Sequence, residues 1–271
     1  MGFFARLRIG WRLAMDSFGV LRADPELAVF PLVGGLAGAV YVGLLLGGSV
    51  LLGLDRGVPL YALLFVTYLG SAFLAAFFTA GLTYSVREAL AGREPSLRSG
   101  MAAAWAKRRP LFVWAVVSAV VGVLLRVLER QDNLVSRIVA GIVGVAWSIL
   151  TYFIIPVIVF EDVSPTAMFR RSGETFRETW GETAGAGFGV GVVTVLFTVV
   201  GLAVAVGFFL AFGSTLVGAV GGLVLMVLVV FGAYLLGTTL SGIAKVALYQ
   251  YATEGVQPAQ FDDVDFRETV R

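Results

Sequence analysis

Between Glu182 and Lys245 the chain carries no charged residue over 62 consecutive positions, 183 to 244. A water-soluble domain cannot bury so long an apolar stretch around one core. A bilayer can, and crossing its ~30 Å hydrocarbon layer takes ~20 apolar helical residues. The run is therefore long enough for two crossings. Four shorter charge-free runs precede it, at 27–54, 57–86, 110–125 and 138–160. Each accounts for one crossing, the third being extended by Arg126, whose long side chain reaches back to water. The sequence reads as an all-α polytopic membrane protein with six transmembrane helices, at about 27–54, 59–86, 110–128, 136–160, 184–212 and 216–242.

Six spans and their loops use nearly all of the 271 residues, so one transmembrane domain is expected over 1–252. A flexible acidic tail is expected over 253–271, where Asp262, Asp263, Asp265 and Glu268 gather. No cleavable leader is expected, because Arg6, Arg8, Arg12 and Asp16 interrupt any apolar core near the start. A net charge of +2, scattered around the spans, excludes nucleic acid as a partner.

Three connectors have the pattern of amphipathic helices lying in the membrane interface, over 3–22, 94–109 and 164–180. In the first, Phe4, Leu7, Trp11, Met15 and Phe18 recur at helical spacing, with Arg8, Arg12 and Asp16 on another face. Leu97, Met101, Ala104 and Trp105 form the stripe of the second, and Met168, Ser172, Phe176 and Trp180 that of the third. Turns are expected at Leu54-Asp55-Arg56-Gly57, at Glu129 to Asn133, and at Gly213-Ser214-Thr215. Pro156 should kink the fourth span. The sixth should leave the membrane near Gly242, placing Lys245, Tyr249 and Tyr251 at the interface.

Sixteen of the twenty basic residues fall on the side holding both termini and the second and fourth loops. The positive-inside rule then puts both termini in the cytoplasm of a multi-pass protein of the cell membrane. All three amphipathic segments share that side, each before a pair of spans. Two carry matching text, Arg98-Ser99-Gly100 and Arg171-Ser172-Gly173. The chain thus reads as three parallel units of interfacial helix plus hairpin.

Chemistry-bearing patterns are missing. With neither cysteine nor histidine, the usual zinc, copper, haem and iron–sulfur ligands are gone, as is the commonest general base. No nucleophile elbow, zinc-protease helix or phosphate-binding glycine loop occurs. No carboxylate falls inside a span, where it would mark a proton or ion path. No catalytic, cofactor-binding or metal-binding residue is assigned, and no cofactor is expected. The Glu161-Asp162 pair reads as a solvated helix end. Lys107, Arg108, Arg109, Arg170 and Arg171, close to interfacial tryptophans, are the candidates for anionic-lipid contact.

Three stretches carry a family likeness. They are 147–162, from Trp147 through Pro156 to Phe160-Glu161-Asp162; 167–172, Ala-Met-Phe-Arg170-Arg171-Ser172; and 246–255, which holds Tyr249, Tyr251 and Gly255. Together they resemble a prokaryotic family of six-span membrane proteins known as a domain of unknown function. More distantly they resemble the membrane domain fused to some glycerophosphodiester phosphodiesterases. The resemblance implies a six-helix fold and a membrane location, and it brings no catalytic residue. The expected function is that of a non-enzymatic scaffold or accessory protein, with membrane lipids and a protein partner or second copy as its contacts. The alternative is a small-molecule or lipid permease.

Overall fold

A computed structural model describes residues 3–53, 57–129, 134–180 and 188–261. The turns expected around Asp55 and across 130–133, the side chain of Trp180 and the acidic stretch 262–271 lie outside the described residues. The described chain is helical: α1 (Phe3–Ala23), a 3-10 turn (Pro25–Ala28), α2 (Val29–Leu51), α3 (Gly57–Leu90), α4 (Leu97–Ala106), α5 (Arg108–Glu129), α6 (Leu134–Leu150), α7 (Ile154–Phe160), α8 (Ala167–Trp180), α9 (Phe188–Phe212), α10 (Leu216–Glu254) and a 3-10 turn (Ala259–Phe261). Five stretches are long and apolar enough to cross a membrane: Pro25–Leu51, Ala62–Leu90, Arg108–Glu129, Val135–Phe160 and Leu216–Glu254. Among the described residues, the apolar stretch of α9, Thr198–Phe212, falls short of that length.

Proline sets where several helices begin. Pro31, Pro59, Pro110 and Pro156 are each the third residue of their helix. A proline there donates no hydrogen bond, and its ring crowds the carbonyl four residues back. Hence α4 stops at Ala106, four before Pro110, and α6 stops short of Tyr152, four before Pro156. The kink expected at Pro156 therefore appears as a break at Thr151-Tyr152-Phe153. At this break Tyr152 N–H turns to the Ile149 carbonyl (3.3 Å), leaving Phe153 N–H without its helical acceptor. The buried Ser172 hydroxyl of α8 accepts it at 3.2 Å. Ser172→Ala should remove this buried hydrogen bond and destabilise the fold by ~1 kcal/mol. Thermal unfolding in mild detergent checks this, and an unchanged midpoint would remove the capping role.

Side-chain caps and glycine fix other boundaries. Ser96 Oγ accepts from Ser99 N–H at 3.1 Å at the head of α4, and Thr215 Oγ1 from Gly218 N–H at 3.0 Å at the head of α10. α10 ends at Gly255, whose φ of 68° is the left-handed conformation that glycine adopts without strain.

The buried core sits at one end of the bundle, where α1, α4 and α8 lie. It joins Leu13, Leu21 and Leu27 to Leu82 and Val86 of α3, Ile154 and Ile158 of α7, Met168 of α8 and Val246 to Tyr249 of α10. The opposite halves of the helices bury little, and Leu44, Leu51, Ile142, Leu210 and Val217 are all more than half exposed. Apolar surface of that extent marks a face that meets lipid or another protein, and it is compatible with a multi-pass membrane protein.

The three connector helices pack on the long ones: α4 on α3, α8 on α6, α7 and α10, and α1 on α9 and α10. Both glycines of the matching text serve this packing. A Cβ on Gly100 would lie 2.8 Å from the Gly81 carbonyl of α3, and one on Gly173 would lie 3.0 Å from Leu150 of α6.

Several expectations are corrected. In α1 the face against the protein is Leu13, Ala14, Ser17 and Leu21, while Trp11, Met15 and Phe18 are about half exposed, so the helix has two apolar faces. In α8 the stripe of Met168, Ser172 and Phe176 packs on protein. The second and third connectors are shorter than 94–109 and 164–180, at Leu97–Ala106 and Ala167–Trp180. α10 runs unbroken from Leu216 to Glu254, and beyond Gly242 its Val246, Ala247, Leu248 and Tyr249 are buried against protein, where Tyr249 was expected at the interface. The tail is ordered at its start, because Phe261 is fully buried beside α1 and Gln260 donates to the Leu90 carbonyl at 3.4 Å.

Candidate functional site

Two features are built from residues of several helices. The first is an ionic cluster at the core end. Glu161 caps the C-terminus of α7, and both oxygens of its carboxylate accept from Arg171 Nε of α8, at 3.0 and 2.9 Å. The Tyr249 hydroxyl of α10 donates to the same carboxylate at 2.6 Å. Lys107, in the hinge between α4 and α5, donates to the Glu161 carbonyl at 3.2 Å and to Asp162 Oδ1 at 3.4 Å. Arg87 at the end of α3 lies over the Phe160 ring at 4.6 Å and pairs with Glu254 of α10 at 3.3 Å.

Glu161 and Arg171 are largely shielded, with 22% and 32% of their side chains exposed, so their attraction is weakly screened. Glu161 is thus no solvated helix end: its carboxylate is occupied by a guanidinium and a phenol. Asp162, fully exposed, keeps the solvated character expected of it. Nearby, Lys245 Nζ of α10 sits 4.5 Å over the Tyr152 ring at the α6–α7 break. The arrangement ties α3, α7, α8, α10 and the hinge between α4 and α5 together. Among the described residues no group of three or more acidic side chains is placed to hold a metal.

The five residues expected at lipid headgroups divide into two sets. Lys107 and Arg171 turn inward to the acids of the cluster. Arg108, Arg109 and Arg170 are exposed; Arg108 lies over the exposed Trp105 ring at 5.2 Å, and Arg170 faces Glu174 at 3.7 Å. Glu161, Tyr249 and Ser172 were missed as working residues. A signal for them did exist, since all three fall in the three stretches that carry the family likeness.

The second feature is a cleft of about 410 Å³ between α2, α3 and α10. Its wall on α2 is made low by Gly34, Gly35 and Gly38. Four hydroxyls border it: Ser71 and Thr79 from α3, Tyr234 and Thr238 from α10. The rest of the lining is apolar.

No curated protein and no solved structure matches the chain. The likeness to the membrane domain of glycerophosphodiester phosphodiesterases is therefore not supported. One family model matches over residues 58–259, which takes in α3 to α10 and every residue of the ionic cluster. The chain belongs to that family, a family of unknown function (DUF6159).

Proposed function

We propose that the chain is a non-enzymatic membrane scaffold or accessory protein with six spans and both termini in the cytoplasm. The observation that supports this reading best is the ionic cluster. Polar groups that converge at the core end pair with one another across α3, α7, α8, α10 and the hinge between α4 and α5, as in a brace. α9 serves as the sixth span. It runs 25 residues, Phe188–Phe212, and turns into α10 through Gly213, Ser214 and Thr215, in a stretch of sequence without charge. Sixteen of twenty basic residues on the side of the connectors support the orientation. Trp11 and Trp105, half exposed beside Arg12 and Arg108, support headgroup-level placement of α1 and α4. Exposed Arg108, Arg109 and Arg170 are the residues for anionic lipid phosphate.

Reporter fusions at Arg56 and Asn133 should read outside, and fusions at Arg93 and Gln257 inside. An outside signal at Arg93 would sink the topology. For the scaffold role, purification in mild detergent should bring down a stoichiometric protein partner or a second copy of the chain. A lone monomer that moves a solute into vesicles would refute it.

The cleft with its four hydroxyls supports a second reading, a permease. The chain has no cysteine, so single cysteines are clean probes. Ser71→Cys and Thr238→Cys should resist a membrane-impermeant maleimide from either side if the protein is a scaffold. Labelling from both sides would favour the permease.

A further inference from the structure

We propose that the cleft between α2, α3 and α10 is a binding slot for one acyl chain of a lipid from the cytoplasmic leaflet. The cleft's wall on α2 runs from Pro31 to Val42. At 1.5 Å per residue that is ~17 Å, about half the ~30 Å hydrocarbon layer. It begins at the third residue of the helix, the end expected at the cytoplasmic interface. At the level of its inner end α2 and α3 are clamped together. There the Tyr41 hydroxyl donates to the Val66 carbonyl at 2.7 Å, and the Tyr41 ring occupies the space above Gly70. The slot is therefore one leaflet deep and closed toward the midplane. This length suits a lipid chain and does not provide a through-path.

The glycines of the wall are only partly explained by protein packing. Gly34 makes room for Phe78 of α3, where a Cβ would lie 2.9 Å from that side chain. A Cβ at Gly38 would meet nothing within 4 Å. Its face therefore opens into the cleft, where there is room for a bound chain. About 410 Å³ lies within the usual range of ligand cavities. Water is a poor filler, since most of the lining is apolar. Two of the hydroxyls, Thr79 and Thr238, lie toward the cytoplasmic end of the slot, two turns and one turn beyond Ser71 and Tyr234. That is the depth of a lipid's ester carbonyls, which accept from such donors. The cytoplasmic assignment rests on the topology proposed above; the slot itself does not.

The full chain, reconstituted with a phospholipid bearing a diazirine in its acyl chain, gives the test. Peptide mass spectrometry of the adducts should find them concentrated on α2 around Gly35 and Gly38 and on α10 around Tyr234. The exposed face of α9, around Leu210, should carry far fewer. Gly38→Leu puts a side chain into the slot from a position where the added Cβ meets nothing within 4 Å, and should cut these adducts about tenfold, the factor that ~1.4 kcal/mol of lost binding gives. Its unfolding temperature should not fall. If that variant fails to fold, Thr238→Leu fills the slot from α10 and should do the same. Adducts spread evenly over the exposed helices, or unchanged in the filled variants, would overturn the proposal. A photoreactive fatty acid run in parallel separates sources: labelling by both probes assigns recognition to the chain, labelling by the phospholipid alone to its ester region. Slot adducts obtained only from probe in the outer leaflet would reverse the topology and leave the slot standing.

Discussion

Gly100→Val should loosen α4 from α3 and destabilise the protein by ~3 kcal/mol, the upper range for forced overpacking. A Cβ at Gly100 would lie 2.5 Å from Phe30 Cζ, 2.6 Å from Ser85 Oγ and 2.8 Å from the Gly81 carbonyl. The first two are side chains that can shift. The third is backbone in the middle of α3 and cannot. The contrasting site is Gly38, where an added Cβ has open space. Gly38→Ala should leave the fold intact or stabilise it by ~0.5–1 kcal/mol through helix propensity. Thermal unfolding of both variants in one detergent decides the matter. Equal effects would mean that the α3–α4 contact does not depend on close backbone approach. Because Gly100 and Gly173 occupy the matching text of two units, Gly173→Val should also destabilise, but by less. Its neighbour is the flexible tip of Leu150 at 3.0 Å, which can move aside.

The long apolar helices were readable because charge is a local property: a run without Asp, Glu, Lys or Arg needs no partner elsewhere to be recognised. α5 illustrates this, expected at about 110–128 and found at Arg108–Glu129. Local steric rules reach slightly further. Pro156 announced a break but not its place, because the residue that suffers is the carbonyl four positions earlier. Amphipathic stripes were legible as stripes, not as interfaces. In α1 the aromatic row was the more conspicuous, yet the smaller residues Leu13, Ala14 and Ser17 face the protein. Sequence alone cannot tell which of two apolar faces meets lipid, since both exclude water. Interactions distant in sequence were the least legible. Glu161 and Tyr249 are 88 positions apart, and no periodicity links them. The cleft is similar, because its three walls come from the first, second and last long apolar helices.

The ionic cluster should behave as a coupled unit. Arg171→Met leaves the Glu161 carboxylate, 22% exposed, with only the Tyr249 hydroxyl among these contacts. Breaking a fully buried pair this way destabilises by ~3–5 kcal/mol. Partial exposure of both partners lowers the expectation here to ~2 kcal/mol, because water screens part of the attraction. Glu161→Leu alone should destabilise by a similar ~2 kcal/mol, because it removes the acid that the Arg171 guanidinium and the Tyr249 hydroxyl share. The double variant should recover most of that loss, as apolar replacement of a shielded pair is often close to neutral. Recovery in the double variant is the measurement that matters. Additive losses would mean that Glu161 and Arg171 act separately, and the brace joining α7 to α8 would fail as an idea. Tyr249→Phe completes the cycle. It removes one donor to a charged acceptor and should lower stability by ~1.5 kcal/mol in the parent, yet by much less once Glu161 is leucine. The hydroxyl of Tyr249 would then matter only through the carboxylate it serves. That dependence is what a brace requires: α10 is held to α7 and α8 through one shared acid, so each tie is worth little without the others.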